Sequence, residues 1–180
     1  ASAVPHIVVF SKGGTTPDGR SYTYTPNDCS VGDVDGDGEY EIILKWDPSN
    51  SHDNSHNGYS GDVIFDCYKL NGKKLWRINL GKNIRAGAHY TQFLVYDFDG
   101  DGKAEMICKT SAIHIPAGSV DGKGKFVSQA ATDADILSID NKADYRNEAG
   151  RVQTGPELLT VFNGKTGQAI HTIWYNPNRG

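Results

Sequence analysis

Asp33, Asp35, Asp37 and Glu41 stand at positions one, three, five and nine of a short run whose fourth and sixth positions are Gly36 and Gly38. Asp97, Asp99, Asp101 and Glu105 repeat the arrangement around Gly100 and Gly102. Alternate carboxylates on a tightly curled loop converge on one point, the glycines permit the curl, and hard oxygen donors in that number favour calcium. The backbone carbonyls of Glu39 and Lys103, at position seven, are the expected further ligands. The other reading is an acidic turn without metal, and the recurrence of the same carboxylates and glycines in one chain argues against it. An EF-hand would place its last acid at position twelve and continue into an amphipathic helix. Here short apolar runs follow, Ile42-Ile43 and Met106-Ile107, so each loop joins two strands. Calcium so placed is structural: it neutralises carboxylates that would repel, and it leaves no evident open position for substrate.

The elements that carry these loops recur as well. Val63 to Trp76, with the turn Asn71-Gly72, is echoed by Leu158 to Ile173, with Asn163-Gly164. Acidic hairpins and Asn-Gly hairpins alternate along the chain, and each pair makes a four-stranded unit of the kind that forms a β-propeller blade. The expectation is an all-β chain of about two blades, the first over 21–90 and the second over 91–180, with calcium loops in the strand hairpins. The second blade holds a long insertion, 111–155, polar and rich in turn residues. Loops of that length are functional or disordered, and the residues leave both open. Propellers typically need ~4 to 8 blades to close a ring. Residues 1–180 are therefore expected to be a partial propeller domain whose remaining blades are missing, with exposed edges that distort, pair or assemble if it stands alone.

In such a hairpin the residues entering the first strand and leaving the second lie at the end opposite the loop. They are Asn27-Asp28 and Trp46-Asp47 in the first unit, and Thr91-Gln92 and Thr110-Ser111 in the second, with His89-Tyr90 just before. Asn27 and Asp47 have the chemistry to hydrogen-bond sugar hydroxyls, and Trp46 offers a flat apolar face. Turn chemistry is the competing account of Asn and Asp at strand ends.

Bulk properties narrow the rest. Gly at 21 of 180 residues and recurrent Asp-Gly and Asn-Gly pairs suit tight-turned β-structure. A formal charge of −4 without a basic cluster argues against a nucleic-acid partner. No apolar run approaches the ~20 residues of a bilayer-spanning helix, so no membrane partner is expected. Cys29, Cys67 and Cys108 lack CxxC spacing and read as small core residues or one optional bridge.

The run from Tyr24 through Asn27, Asp33, Asp35 and Asp37 to Trp46, Asp47 and Asn50 resembles the rhamnogalacturonan endolyases of polysaccharide lyase family eleven. Asn83 to Phe93, Asp144 to Asn147 and Gly155 to Phe162 resemble the same family, so most of the chain is covered. The resemblance implies the N-terminal part of an eight-bladed, calcium-rich propeller, secreted by bacteria, that cleaves the rhamnose–galacturonate backbone of pectin by elimination. It also implies that Asn27 and Asp47 contact rhamnose, and that the basic groups holding the galacturonate carboxylate lie further downstream. No catalytic base is evident here: Lys45, Lys109 and His89 qualify by type, and each reads better as structural. The alternative from another class is a calcium-dependent, integrin-like propeller serving as an adhesion or carbohydrate-binding module.

Overall fold

The computed structural model describes residues 9–87, 89–113 and 124–177. The stray strand expected over Ala1–Phe10 falls almost wholly outside them. Two antiparallel sheets of four strands dominate. The first runs in the order β3 (Tyr24–Gly32), β4 (Glu41–Pro48), β5 (Ile64–Tyr68), β6 (Lys74–Asn79), and the second in the order β7 (Phe93–Tyr96), β8 (Glu105–Thr110), β9 (Leu158–Phe162), β10 (Ala169–Trp174). Each is a meander in which sequence neighbours pair. A two-stranded ribbon, β1 (Gly14–Thr15) and β2 (Ser21–Tyr22), precedes them. Among the described residues no helix is long and apolar enough to cross a membrane.

Alternation along the strands decides how the sheets meet. Ile43, Phe65, Cys67, Trp76 and Ile78 share one face of the first sheet, while Met106, Cys108, Leu158 and Phe162 share one face of the second. Together they form the main core, all buried. The Trp76 indole N–H crosses between the sheets to the Gly164 carbonyl at 2.7 Å. A Cβ on Gly164 would lie 1.8 Å from the Ala104 carbonyl oxygen, so only glycine admits this approach. On the far face of the first sheet Leu44, Trp46, Ile64 and Tyr68 form a smaller cluster. The leading strands β3 and β7 contact one another, which places both sheets' first strands on the same side.

The insertion after β8 is a packed segment where it is described. A 3₁₀ turn, Val127–Ala130, and one helical turn, α1 (Ala134–Leu137), drive Val127 and Ile136 into the main core. The Asp133 side chain caps α1 by accepting from the Asp135 and Ile136 N–H groups. All three cysteines are free. Cys67 and Cys108 are core residues as expected, but Cys29 is exposed, because β3 is an edge strand whose outer side faces solvent.

Candidate functional site

The acidic loops are built alike. Asp33 Oδ1 accepts from the Gly36 and Asp37 N–H groups and Oδ2 from Gly38, while Asp97 does the same for Gly100, Asp101 and Gly102. Gly36 and Gly38 have φ of 77° and 87°, and Gly100 and Gly102 have 79° and 87°, a curl that side-chain-bearing residues resist. Position nine closes each loop from inside: Glu41 Oε2 accepts from the Val34 N–H, and Glu105 Oε2 from the Phe98 N–H.

One carboxylate oxygen from each of Asp33, Asp35 and Asp37 lies within 4.8 Å of the others, and Asp97, Asp99 and Asp101 form a matching group. Oxygens bound to one calcium at about 2.3–2.6 Å fall within such a span. Asp35 Oδ1 is buried without a hydrogen-bond partner, an orphaned acceptor that suits a cation. The donor set therefore fits calcium. In the second loop burial, opposed by the Phe98 N–H and reinforced by the nearby Asp99, Asp101 and Asp97, raises the Glu105 pKa.

The loops differ in their surroundings. The Lys69 ammonium lies 2.9 Å from Asp35, 2.8 Å from Asp37 and 3.0 Å from Glu41, so the first loop carries its own counter-cation. In the second loop, among the described residues, Lys103 pairs with Asp101 alone, at 3.1 Å. Sequence reasoning missed Lys69 because it arrives from the end of β5.

At the opposite end of the first sheet, the pairing of β3 with β4 shifts register between Pro26 and Cys29, setting Asn27 and Asp28 against Lys45 alone. This bulge turns Asn27 outward, while Asp47 pairs with Thr25 close by and accepts from the Ser51 hydroxyl at 2.9 Å. Both expected sugar-binding residues thus sit at one end of the β3–β4 ladder. Trp46 departs from expectation: it is buried, its indole N–H bonded to Asp66 at 2.8 Å, and it offers no face to a ligand. The period-two alternation of β4 sends it to the smaller cluster on the sheet's far face.

Two of the three candidate bases, Lys45 and Lys109, are tied down. Lys45 is buried and donates to Asp28 at 2.9 Å and to the Tyr90 carbonyl at 3.0 Å. Lys109 is paired with Glu157 and lies over the Tyr175 ring. His89 is exposed. Thr110, the counterpart of Trp46, joins Thr160 and Thr172 in a buried hydroxyl ladder, and the Ser111 hydroxyl bonds the Pro156 carbonyl. Beside these residues opens a cleft of about 600 Å³, with Asn54, Arg85, Tyr90, Lys109 and Gln153 in its wall.

Residues 6–180 match the rhamnogalacturonan lyase family 11, C-terminal domain. The rhamnogalacturonan endolyase YesW of Bacillus subtilis (strain 168) is 63% identical over 177 residues, covering 97% of this chain and 26% of its own length. The rhamnogalacturonan exolyase YesX of the same organism is 60% identical over 169 residues, covering 94% of this chain and 25% of its own. A solved Bacillus licheniformis rhamnogalacturonan lyase superposes with a TM-score of 0.82 at 60% identity, over 98% of this chain and 27% of that one. The chain thus spans about a quarter of the length of the curated relatives it matches.

Proposed function

The chain belongs to rhamnogalacturonan lyase family 11, and from that membership we propose that it forms two blades of a calcium-stabilised propeller in a secreted lyase that cleaves the rhamnose–galacturonate backbone of pectin. Identity of 60% or more to two named lyases carries the reading. One of them is an endolyase and the other an exolyase, so overall identity does not choose between the two modes.

Several features support the blade arrangement: two four-stranded meanders, packed face to face, with their leading strands in contact. We assign the first blade to 21–90 and the second to 91–180, in the family's C-terminal domain and at the start of its propeller. Calcium is assigned to Asp33, Asp35, Asp37, Glu41 and the Glu39 carbonyl, and to Asp97, Asp99, Asp101, Glu105 and the Lys103 carbonyl. Bound there, it would neutralise the carboxylates and hold each hairpin closed.

In the elimination, a base takes the proton from C5 of the uronate, the C4–C5 double bond forms, and the bond to the glycosidic oxygen breaks. A cation on the uronate carboxylate makes the C5 proton more acidic. The chain's share is recognition: Asn27 and Asp47, at one end of the β3–β4 ladder, hydrogen-bond rhamnose, while Lys45 fixes the bulge that carries Asn27. No residue of this chain is assigned as the base.

The test is release of unsaturated, ultraviolet-absorbing uronides from rhamnogalacturonan by the longer protein containing this chain. Asp47→Ala is expected to raise KM more than it lowers kcat. Binding with no unsaturated product would instead favour the calcium-dependent adhesion or carbohydrate-binding module.

A further inference from the structure

Arg85 is 8% exposed, yet among the described residues it has no acidic partner. Its guanidinium donates to Asn54 Oδ1 at 3.0 Å and to the carbonyls of His56 at 2.6 Å and Gly58 at 3.1 Å, all neutral acceptors. Its Nε–H is buried with no acceptor at all. A second guanidinium aggravates the imbalance: Arg151 donates to the Ser55 carbonyl at 2.6 Å, and its Nε is likewise buried and unmatched. Among the described residues no carboxylate forms an ion pair with either arginine. Burial, followed by repulsion from Arg151, lowers the Arg85 pKa from its ordinary value.

A buried charge is tolerated when an opposite charge compensates it, and an arginine held only by neutral groups keeps a positive charge that a bound anion would offset. The cleft beside it is of ligand size, about 600 Å³ against the usual ~300–1,000 Å³. Its other charges already cancel, since Lys109 is paired with Glu157. Arg85 therefore gives the cleft a net positive wall within a chain of net charge −4. Tyr90, Gln92 and Gln153 add uncharged polar groups suited to hydroxyls.

We propose that this cleft is a subsite for a sugar carboxylate, with the uncompensated guanidinium of Arg85 facing a galacturonate unit and the neighbouring amide and phenol groups taking its hydroxyls. The proposal rests on the rhamnogalacturonan reading for the identity of the acid, and on the unpaired arginine for the existence of the site. It places a carboxylate subsite beyond the end of β8, and Lys45 links its Tyr90 wall to the bulge that carries Asn27. Because three of its N–H groups already brace the 54–58 loop, Arg85 positions that wall as well as charging it.

The experiment is a titration of the protein followed through the Arg85 Nε–H resonance, assigned by its loss in Arg85→Lys. Three probes are added separately: an acidic rhamnogalacturonan oligosaccharide, its carboxyl-reduced counterpart, and free galacturonate. The expected result is a saturable shift with both acidic probes and none with the reduced one. Affinity for the acidic oligosaccharide should fall at least tenfold in Arg85→Gln and less in Arg85→Lys, which keeps the charge. Circular dichroism spectra matching the parent would show both variants folded. Equal binding of the acidic and reduced oligosaccharides, or an unmoved Arg85 signal, overturns the proposal. If the oligosaccharide binds and only Asp47→Ala abolishes it, the subsite fails while the lyase reading stands. If galacturonate shifts Arg85 and the oligosaccharide does not, the carboxylate site stands and the rhamnogalacturonan reading fails.

Discussion

Asp66 shows how much a single buried carboxylate organises. It accepts from the Trp46 indole at 2.8 Å, the Tyr68 hydroxyl at 2.6 Å and the Arg77 guanidinium at 2.7 and 2.6 Å. Burial alone would raise its pKa, but Arg77, Tyr68 and Trp46 together outweigh burial and lower it. A folded-state pKa below the unfolded one contributes stability above the unfolded carboxylate range, near ~4, and that stability fades as pH falls through the lower folded value. Arg77→Met strands the charge and is expected to cost about 3 kcal/mol at neutral pH in chemical denaturation, with a smaller loss at pH 3. An equal loss at both pH values would show that the pair carries no charge-dependent stability. The thiols make a second prediction. Burial pushes both Cys67 and Cys108 up to about 12, whereas Cys29 is exposed. A thiol reagent should therefore modify one cysteine in the native protein and three after unfolding. The acidic residues were legible in sequence because their spacing is local. Lys69, Arg85 and the burial of Trp46 were not, since each depends on which segments the fold brings together.

At the scale of the element, the two loops share backbone and carboxylates yet differ in the lysines that reach them. On the proposed calcium reading, an ion entering the first would displace the Lys69 ammonium from three carboxylates, and one entering the second would meet Lys103 on Asp101 alone. Calorimetry should resolve two sites, with Asp35→Ala removing the weaker and Asp99→Ala the tighter. Lys69→Met is expected to tighten the first site several-fold and leave the second unchanged. A looser first site in that variant would mean that lysine supports the loop rather than competing for it. The hairpins themselves were readable, because each glycine-rich or Asn-Gly turn is flanked by apolar runs of strand length. The 111–155 insertion was not. Val127 stands beside Phe126 and Ile136 beside Leu137 in an otherwise polar stretch, runs too short to show a period or to say which member plugs the core.

For the molecule as a whole, the second sheet presents a problem that the first has already solved. Opposite its core face, cross-strand pairing lines up Leu94, Ile107 and Val161, with Leu159 beside Ile173. Leu94 is 63% and Ile173 46% exposed, while Ile107, Leu159 and Val161 are only partly covered. The same face carries Lys109 beside Leu159 and His171 beside Val161, yet its apolar row is long enough to be built for cover, as the first sheet covers the near face. In the propeller reading the next blade lies there. The chain alone is therefore expected to self-associate with rising concentration in sedimentation velocity, and Val161→Lys with Ile173→Lys should make it monomeric. In the longer lyase the same pair should lower thermal stability and activity, because two ammonium groups would then be buried without partners. If the longer protein tolerates both lysines unchanged, this face is open to solvent there too, and the second sheet is the last of its row.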